Sequence, residues 1–138
     1  MKARMIVSIA LATAACGSSP KEPASPSKPE AAVAAPAPTG RIIEIGMHTD
    51  ENGNYFLPAD VEAKPGDVLR YTLVTGVHNV NFLPDSNPGA ANLPPASDML
   101  QLPGQTHDVI VTMGPGKHFY QCDPHAALGM VGHVTVEP

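Results

Sequence analysis

From Arg41 onward, apolar and polar positions alternate with a period near two, in short runs broken by Gly and Pro. Ile43 and Ile45 alternate with polar neighbours. Val61–Lys64 leads into Pro65-Gly66-Asp67, a turn signal. The run from Asp67 to Thr75 predicts a strand, with Leu69, Tyr71 and Leu73 on one face and Val68, Arg70, Thr72 and Val74 on the other. Val77–Phe82 is a further strand candidate. Residues 83–105, rich in Pro, Asn and Gly, predict a long connection with one helical turn near Ser97–Leu100. His107–Met113, Lys117–Cys122 and Val131–Val136 complete the strand candidates. Short strands separated by Gly/Pro turns predict an all-β chain folded as a two-sheet antiparallel sandwich.

The first forty residues follow another pattern. Lys2 and Arg4 precede an apolar stretch of small residues from Met5 to Ala15, which predicts a signal peptide over residues 1–15. Leu11-Ala12-Thr13-Ala14-Ala15-Cys16-Gly17 resembles a bacterial lipoprotein processing site, and that resemblance implies lipidation of Cys16. The other reading is ordinary cleavage after Ala12-Thr13-Ala14. Residues 17–40 contain six Pro, six Ala and four Ser and show no periodicity. They predict a spacer that buries too little apolar surface to fold. The expected organisation is therefore a signal segment (1–15), Cys16 with a linker (16–40) and one domain (41–138). The product is expected outside the cytoplasm, on the periplasmic or cell-surface side. It is membrane-anchored by the lipid, or soluble if Cys16 is not modified.

Composition narrows the function. The net charge of the 138-residue chain is −5, and residues 41–138 hold four basic and eleven acidic side chains. Together with 4% aromatic content and no Trp, this speaks against nucleic-acid binding. There are two Cys. With Cys16 lipidated or removed, Cys122 has no partner within the chain, and export would place it where thiols oxidise. It is then buried and inert, paired with another chain, or held on a metal.

Its neighbours point to the metal. Cys122-Asp123-Pro124-His125-Ala126-Ala127-Leu128-Gly129-Met130 reads Cys-x2-His-x4-Met, which places a thiolate, an imidazole and a thioether in one loop. His78, in Val77-His78-Asn79-Val80, is the best candidate for a fourth ligand. Thiolate and thioether are soft donors suited to Cu(I), and imidazole also suits Cu(II). A trigonal His2Cys set with a weak axial Met accommodates both valences in nearly one geometry. Taken singly, Cys122 or His78 would more often be core, and Met130 could be a gap-filler. The spacing together with the upstream His-Asn favours copper.

At these residues the chain resembles the plastocyanin-like small blue copper proteins, the cupredoxins. The resemblance spans about residues 41–138. It is carried by Tyr120-Gln121-Cys122-Asp123-Pro124-His125, Gly129-Met130-Val131-Gly132 and Val77-His78-Asn79-Val80. Weaker support comes from Phe56-Leu57-Pro58, Pro65-Gly66-Asp67-Val68 and Leu102-Pro103-Gly104-Gln105-Thr106. It implies a Greek-key β-sandwich of seven to eight strands and one copper ion cycling between Cu(I) and Cu(II). His78, Cys122 and His125 would be the strong ligands and Met130 the axial one. Asn79 would tie the two ligand loops together. Electrons would leave through His125, with Ala126, Ala127 and Leu128 as the apolar patch around it. Gln121 stands where plant plastocyanins carry an aromatic residue, so their aromatic exit route is not expected here. Tyr120 shares strand parity with Cys122 and is expected to point inward.

The implied function is one-electron transfer between exported or membrane-bound redox proteins in transient contact, by a monomer that is not an enzyme. The alternative is a copper delivery or storage protein, which Met47, Met99 and Met113 support poorly because they form no cluster. A Cys122–His125 nucleophile pair has the right residue types for an enzyme, but a loop converging on Met130 is an odd setting for it. Of the other histidines, His48 is expected in a solvated loop, His107 at a strand edge, His118 buried and hydrogen-bonded, and His133 on the last strand.

Overall fold

The computed structural model describes residues 40–138. The expected signal segment, Cys16 and the spacer up to residue 39 lie outside them. Seven strands follow in chain order: β1 (Ile42–Asp50), β2 (Gly53–Leu57), β3 (Asp60–Ala63), β4 (Val68–Leu73), β5 (Thr106–Ile110), β6 (Gly116–Gln121) and β7 (Val131–Val136). They form a four-stranded sheet ordered β2-β1-β4-β5 and a three-stranded sheet ordered β3-β7-β6. The period-two pattern has its expected consequence in β4. Leu69, Tyr71 and Leu73 are buried with at most 1% exposure, so this face packs into the core between the sheets.

The expected purely antiparallel pairing is corrected. β1 runs parallel to β4, with Ile45 opposite Tyr71, and β3 runs parallel to β7, with Val61 opposite Val134. Both sheets are mixed. Antiparallel hairpins need only a short turn, whereas these parallel pairs join strands that lie far apart in sequence. Local turn signals could not reveal them.

Two further expectations are corrected. Val77–Phe82 forms no strand of its own. His78 bridges to Leu100 and Asn81 to Gln121, so the segment pairs in two directions and builds no ladder. The helical turn near Ser97–Leu100 is absent. Ser97 N–H donates to the Val80 carbonyl and Leu100 pairs with His78, so this stretch lies extended along the 77–82 segment. Among the described residues, 3-10 turns occur instead at Pro84–Ser86 and Asp123–Leu128, each with a proline in its first turn. There the fixed φ of proline suits a helix start and the missing N–H costs nothing.

An aromatic cluster joins the two sheets. Tyr120 of β6 lies edge-on to Phe56 of β2 at 4.9 Å and to Tyr71 of β4 at 5.4 Å, and Phe82 packs beside it at 5.4 Å. Tyr120 is fully buried, as its parity with Cys122 predicts, and its hydroxyl donates to the Ala59 carbonyl at 2.8 Å. Gly132 makes this possible, because a Cβ there would strike both the Ala59 carbonyl and the Tyr120 ring.

Candidate metal centre

The site forms at one end of the sandwich, where the 74–78 segment leaving β4 meets the loop leaving β6. Cys122 ends the extended run of β6. Its N–H donates to the Met130 carbonyl, and the Met130 N–H donates to the His125 carbonyl, each at 3.1 Å. The 3-10 turn Asp123–Leu128 closes at Gly129, whose φ of +91° is a left-handed conformation natural to glycine. A nine-residue loop is thereby folded back on itself, bringing the backbones of Cys122, His125 and Met130 together.

Three donor atoms converge. His78 Nδ1 lies 3.1 Å from His125 Nδ1, and Cys122 Sγ lies 3.6 Å and 3.4 Å from these two nitrogens. A point equidistant from all three lies about 2.0 Å from each, the length of a metal–imidazole bond. Among the described residues this trio is the group of His, Cys, Asp and Glu side chains placed to hold a metal ion. His78, Cys122 and Met130 are fully buried, while His125 is half-buried. The site therefore has a closed interior and one edge near the surface. Leu128, at 69% exposure, and the exposed Ala127 flank that edge.

Electrostatics leave the donors ready for a cation. Burial, and next the neighbouring His125, hold the His78 imidazole below its ordinary pKa, so its lone pair is free at neutral pH. Its Nε2 lies 3.0 Å from the Thr75 carbonyl, an acceptor only, so Nε2 carries the proton and Nδ1 faces the trio bare. Burial raises the Cys122 thiol, and the charge of Asp123 adds to this against opposing backbone N–H contacts. A buried thiol with a raised pKa stays protonated while no metal is bound. A metal ion would displace the proton.

Asn79 joins the two ligand loops as expected. Its Nδ2 donates to Asp123 Oδ2 at 2.7 Å, and its Oδ1 accepts the Asp123 N–H at 2.8 Å. The sequence reading missed how much else gathers on Asp123. Asn81 and Gln121 also donate to its carboxylate, Gln121 at 3.0 Å. Burial pushes the Asp123 carboxyl up, but the amides of Gln121, Asn79 and Asn81 outweigh it and the pKa is lowered. The available signal was three amide residues flanking the two ligand motifs.

The other four histidines stand apart from the trio. His48 corrects the expectation of a solvated loop. It lies on β1 and stacks on Tyr55 across the β1–β2 pair, with ring centroids 5.1 Å apart. His107 lies on the edge strand β5, His118 is buried with Nε2 on the Gly114 carbonyl, and His133 on β7 pairs with Asp60.

Comparison with known proteins agrees with this geometry. Residues 43–137 match the family model described as copper binding proteins, plastocyanin/azurin family. The chain belongs to this family. Plastocyanin from Solanum crispum is 32% identical over 99 residues, covering 68% of this chain and 99% of the relative. Plastocyanin from Prochlorothrix hollandica is 34% identical over 108 residues, covering 75% and 79%. The solved structure of oxidized plastocyanin from the fern Dryopteris crassirhizoma superimposes with a TM-score of 0.57 at 26% identity, covering 69% of this chain and all of that one. The fold is thus a cupredoxin β-sandwich and the cofactor is copper. Two imidazoles, a thiolate and a nearby thioether are the donor set that suits a type 1 copper site.

Proposed function

We propose that this protein is a mononuclear type 1 copper protein that carries one electron at a time between redox proteins. His78 Nδ1, His125 Nδ1 and Cys122 Sγ would hold the copper, with the Met130 thioether as a weaker, soft donor. The triangle of donor atoms, with edges of 3.1, 3.4 and 3.6 Å, carries this reading. Copper bound there supplies a one-electron couple between Cu(I) and Cu(II).

The residues around it keep its surroundings unchanged as the valence alternates. Hydrogen bonds fix His78 from behind. The Asn79–Asp123 pair locks the two ligand loops to each other. The buried Tyr120 and Met130 exclude water from the interior. Two imidazoles, a thiolate and a thioether are a donor set suited to holding both copper valences, which supports a carrier rather than an enzyme. Electrons pass through the half-buried His125, and the Ala126-Ala127-Leu128 surface receives partners in a small, transient contact. The apolar leader of residues 1–15 and the Cys16 processing sequence support export and lipid anchoring in an oxidising compartment. The acidic balance of residues 41–138 favours partners that are neutral or basic where they touch.

Loading the purified protein with Cu(II) tests the assignment. An intense blue thiolate-to-copper absorption, a matching EPR spectrum and a reversible one-electron couple are expected, and Cys122→Ser abolishes the colour. A colourless or redox-silent copper form refutes it.

A further inference from the structure

The Nε2 side of His78 carries more than the single carbonyl that would fix its tautomer. Thr49 Oγ1, from the end of β1, lies 3.1 Å from the same nitrogen that meets the Thr75 carbonyl at 3.0 Å. The Thr49 hydroxyl proton is engaged elsewhere, donating to Asn54 Oδ1 at 2.7 Å. Its lone pairs are therefore what it can offer to His78. Thr49 and Asn54 stand directly opposite each other in the β1–β2 ladder, so sheet register sets this contact.

The cradle is braced on its other side. Thr75 Oγ1 accepts the Thr49 N–H and donates to the Thr49 carbonyl, each at 2.8 Å. The two residues whose oxygens face the His78 N–H are thus bound to one another through other atoms. Gly76 supplies the space. A Cβ there would strike Thr49 Oγ1 and come within 2.7 Å of His78 Nε2, and its φ of +94° favours glycine independently.

We infer that Thr49 is a positioning residue for the copper site: oriented by Asn54, its hydroxyl is a second acceptor for the His78 Nε2–H, fixing the ring before metal binds and strengthening Nδ1 as a donor. The effect on copper rests on the type 1 reading above, whereas the effect on the Nε2–H hydrogen bond does not. An N–H shared between two acceptors leaves more electron density on the opposite ring nitrogen, and a stronger nitrogen donor favours Cu(II) over Cu(I). Groups behind a ligand contribute 10–100-fold to metal affinity in general. With the Thr75 carbonyl remaining, the low end of that range is expected.

The test compares wild type, Thr49→Val and Thr49→Ser. In the copper-free proteins above pH 7.5, the Thr75 carbonyl keeps the proton on His78 Nε2 in all three, and 15N-edited proton NMR reads that N–H. Wild type and Thr49→Ser are expected to share one downfield proton shift with slow exchange, and Thr49→Val to move upfield and exchange faster with water. In the copper-loaded proteins, Thr49→Val lowers the Cu(II)-to-Cu(I) affinity ratio about tenfold, which is about 59 mV upward for a one-electron couple, and Thr49→Ser restores it. Identical Nε2–H signals and potentials in wild type and Thr49→Val overturn the inference, as does Thr49→Ser behaving like Thr49→Val. Should Thr49→Val fail to fold, Asn54→Leu frees the hydroxyl proton without removing the hydroxyl. It must then show the same change in the Nε2–H signal at smaller amplitude, and an unchanged His78 overturns the role. If wild type lacks the blue colour, the proposed function falls while the copper-free Nε2–H measurement still decides the role of Thr49.

Discussion

Asn79→Ala probes the join between the two ligand loops. Asn79 is 5% exposed and its side chain makes two hydrogen bonds, both to Asp123. The bond from the Asp123 N–H to Oδ1 is between neutral groups and contributes about 1 kcal/mol, while the bond from Nδ2 to the carboxylate belongs to the charged class at about 1.5–3 kcal/mol. Asp123 is exposed and keeps its donors from Asn81 and Gln121, so the lower end of that class applies. The expected loss is about 2–3 kcal/mol, or roughly 10–20 °C in the melting temperature of a domain this size. Guanidinium unfolding of the copper-free protein, followed by far-UV circular dichroism, reads it directly. Asn79→Asp should do no better, because it keeps one acceptor but sets a second carboxylate against Asp123. A loss under about 0.5 kcal/mol with an unchanged denaturant slope would refute the view that this pair joins the loops.

Two other outcomes are expected. Gly132→Ala drives a methyl against the Ala59 carbonyl and to 2.5 Å from the Tyr120 Cζ and hydroxyl, disturbing the bond between them, and should cost about 1–3 kcal/mol in a thermal melt; a neutral result would show that the sheets separate freely there. Asp67 is 4% exposed, and although burial pushes its carboxyl up, the Lys64 N–H and the Arg41 contacts outweigh it and hold the pKa below the ordinary 3.8. Its stabilisation is therefore complete above the unfolded value and lost as pH falls through the lower folded one, so Asp67→Asn should flatten the acid limb of a stability–pH curve below about pH 4; an unaltered limb would assign acid unfolding to other groups.

Within the described residues, the local pattern sufficed for much of this protein. The alternation of Leu69, Tyr71 and Leu73 fixed which face of β4 is buried, because side chains on a strand alternate whatever the strand pairs with. The Cys-x2-His-x4-Met spacing brought three candidate donors into one loop that sequence alone could delimit. His78 required more, being 44 residues from Cys122, and its assignment came through family resemblance and the chemistry of the donor set.

Only the tertiary structure decided the parallel pairings β1–β4 and β3–β7, the two-way bridging of Val77–Phe82 and the extended path of Ser97–Leu100. It also decided that Thr49 and Asn54 stand behind His78 and that Asn81 and Gln121 converge on Asp123. Periodicity and spacing are short-range quantities, set by backbone geometry over a few residues. Most of these contacts join residues whose neighbours in sequence say nothing of one another, or depend on a register that appears only when two strands are laid side by side.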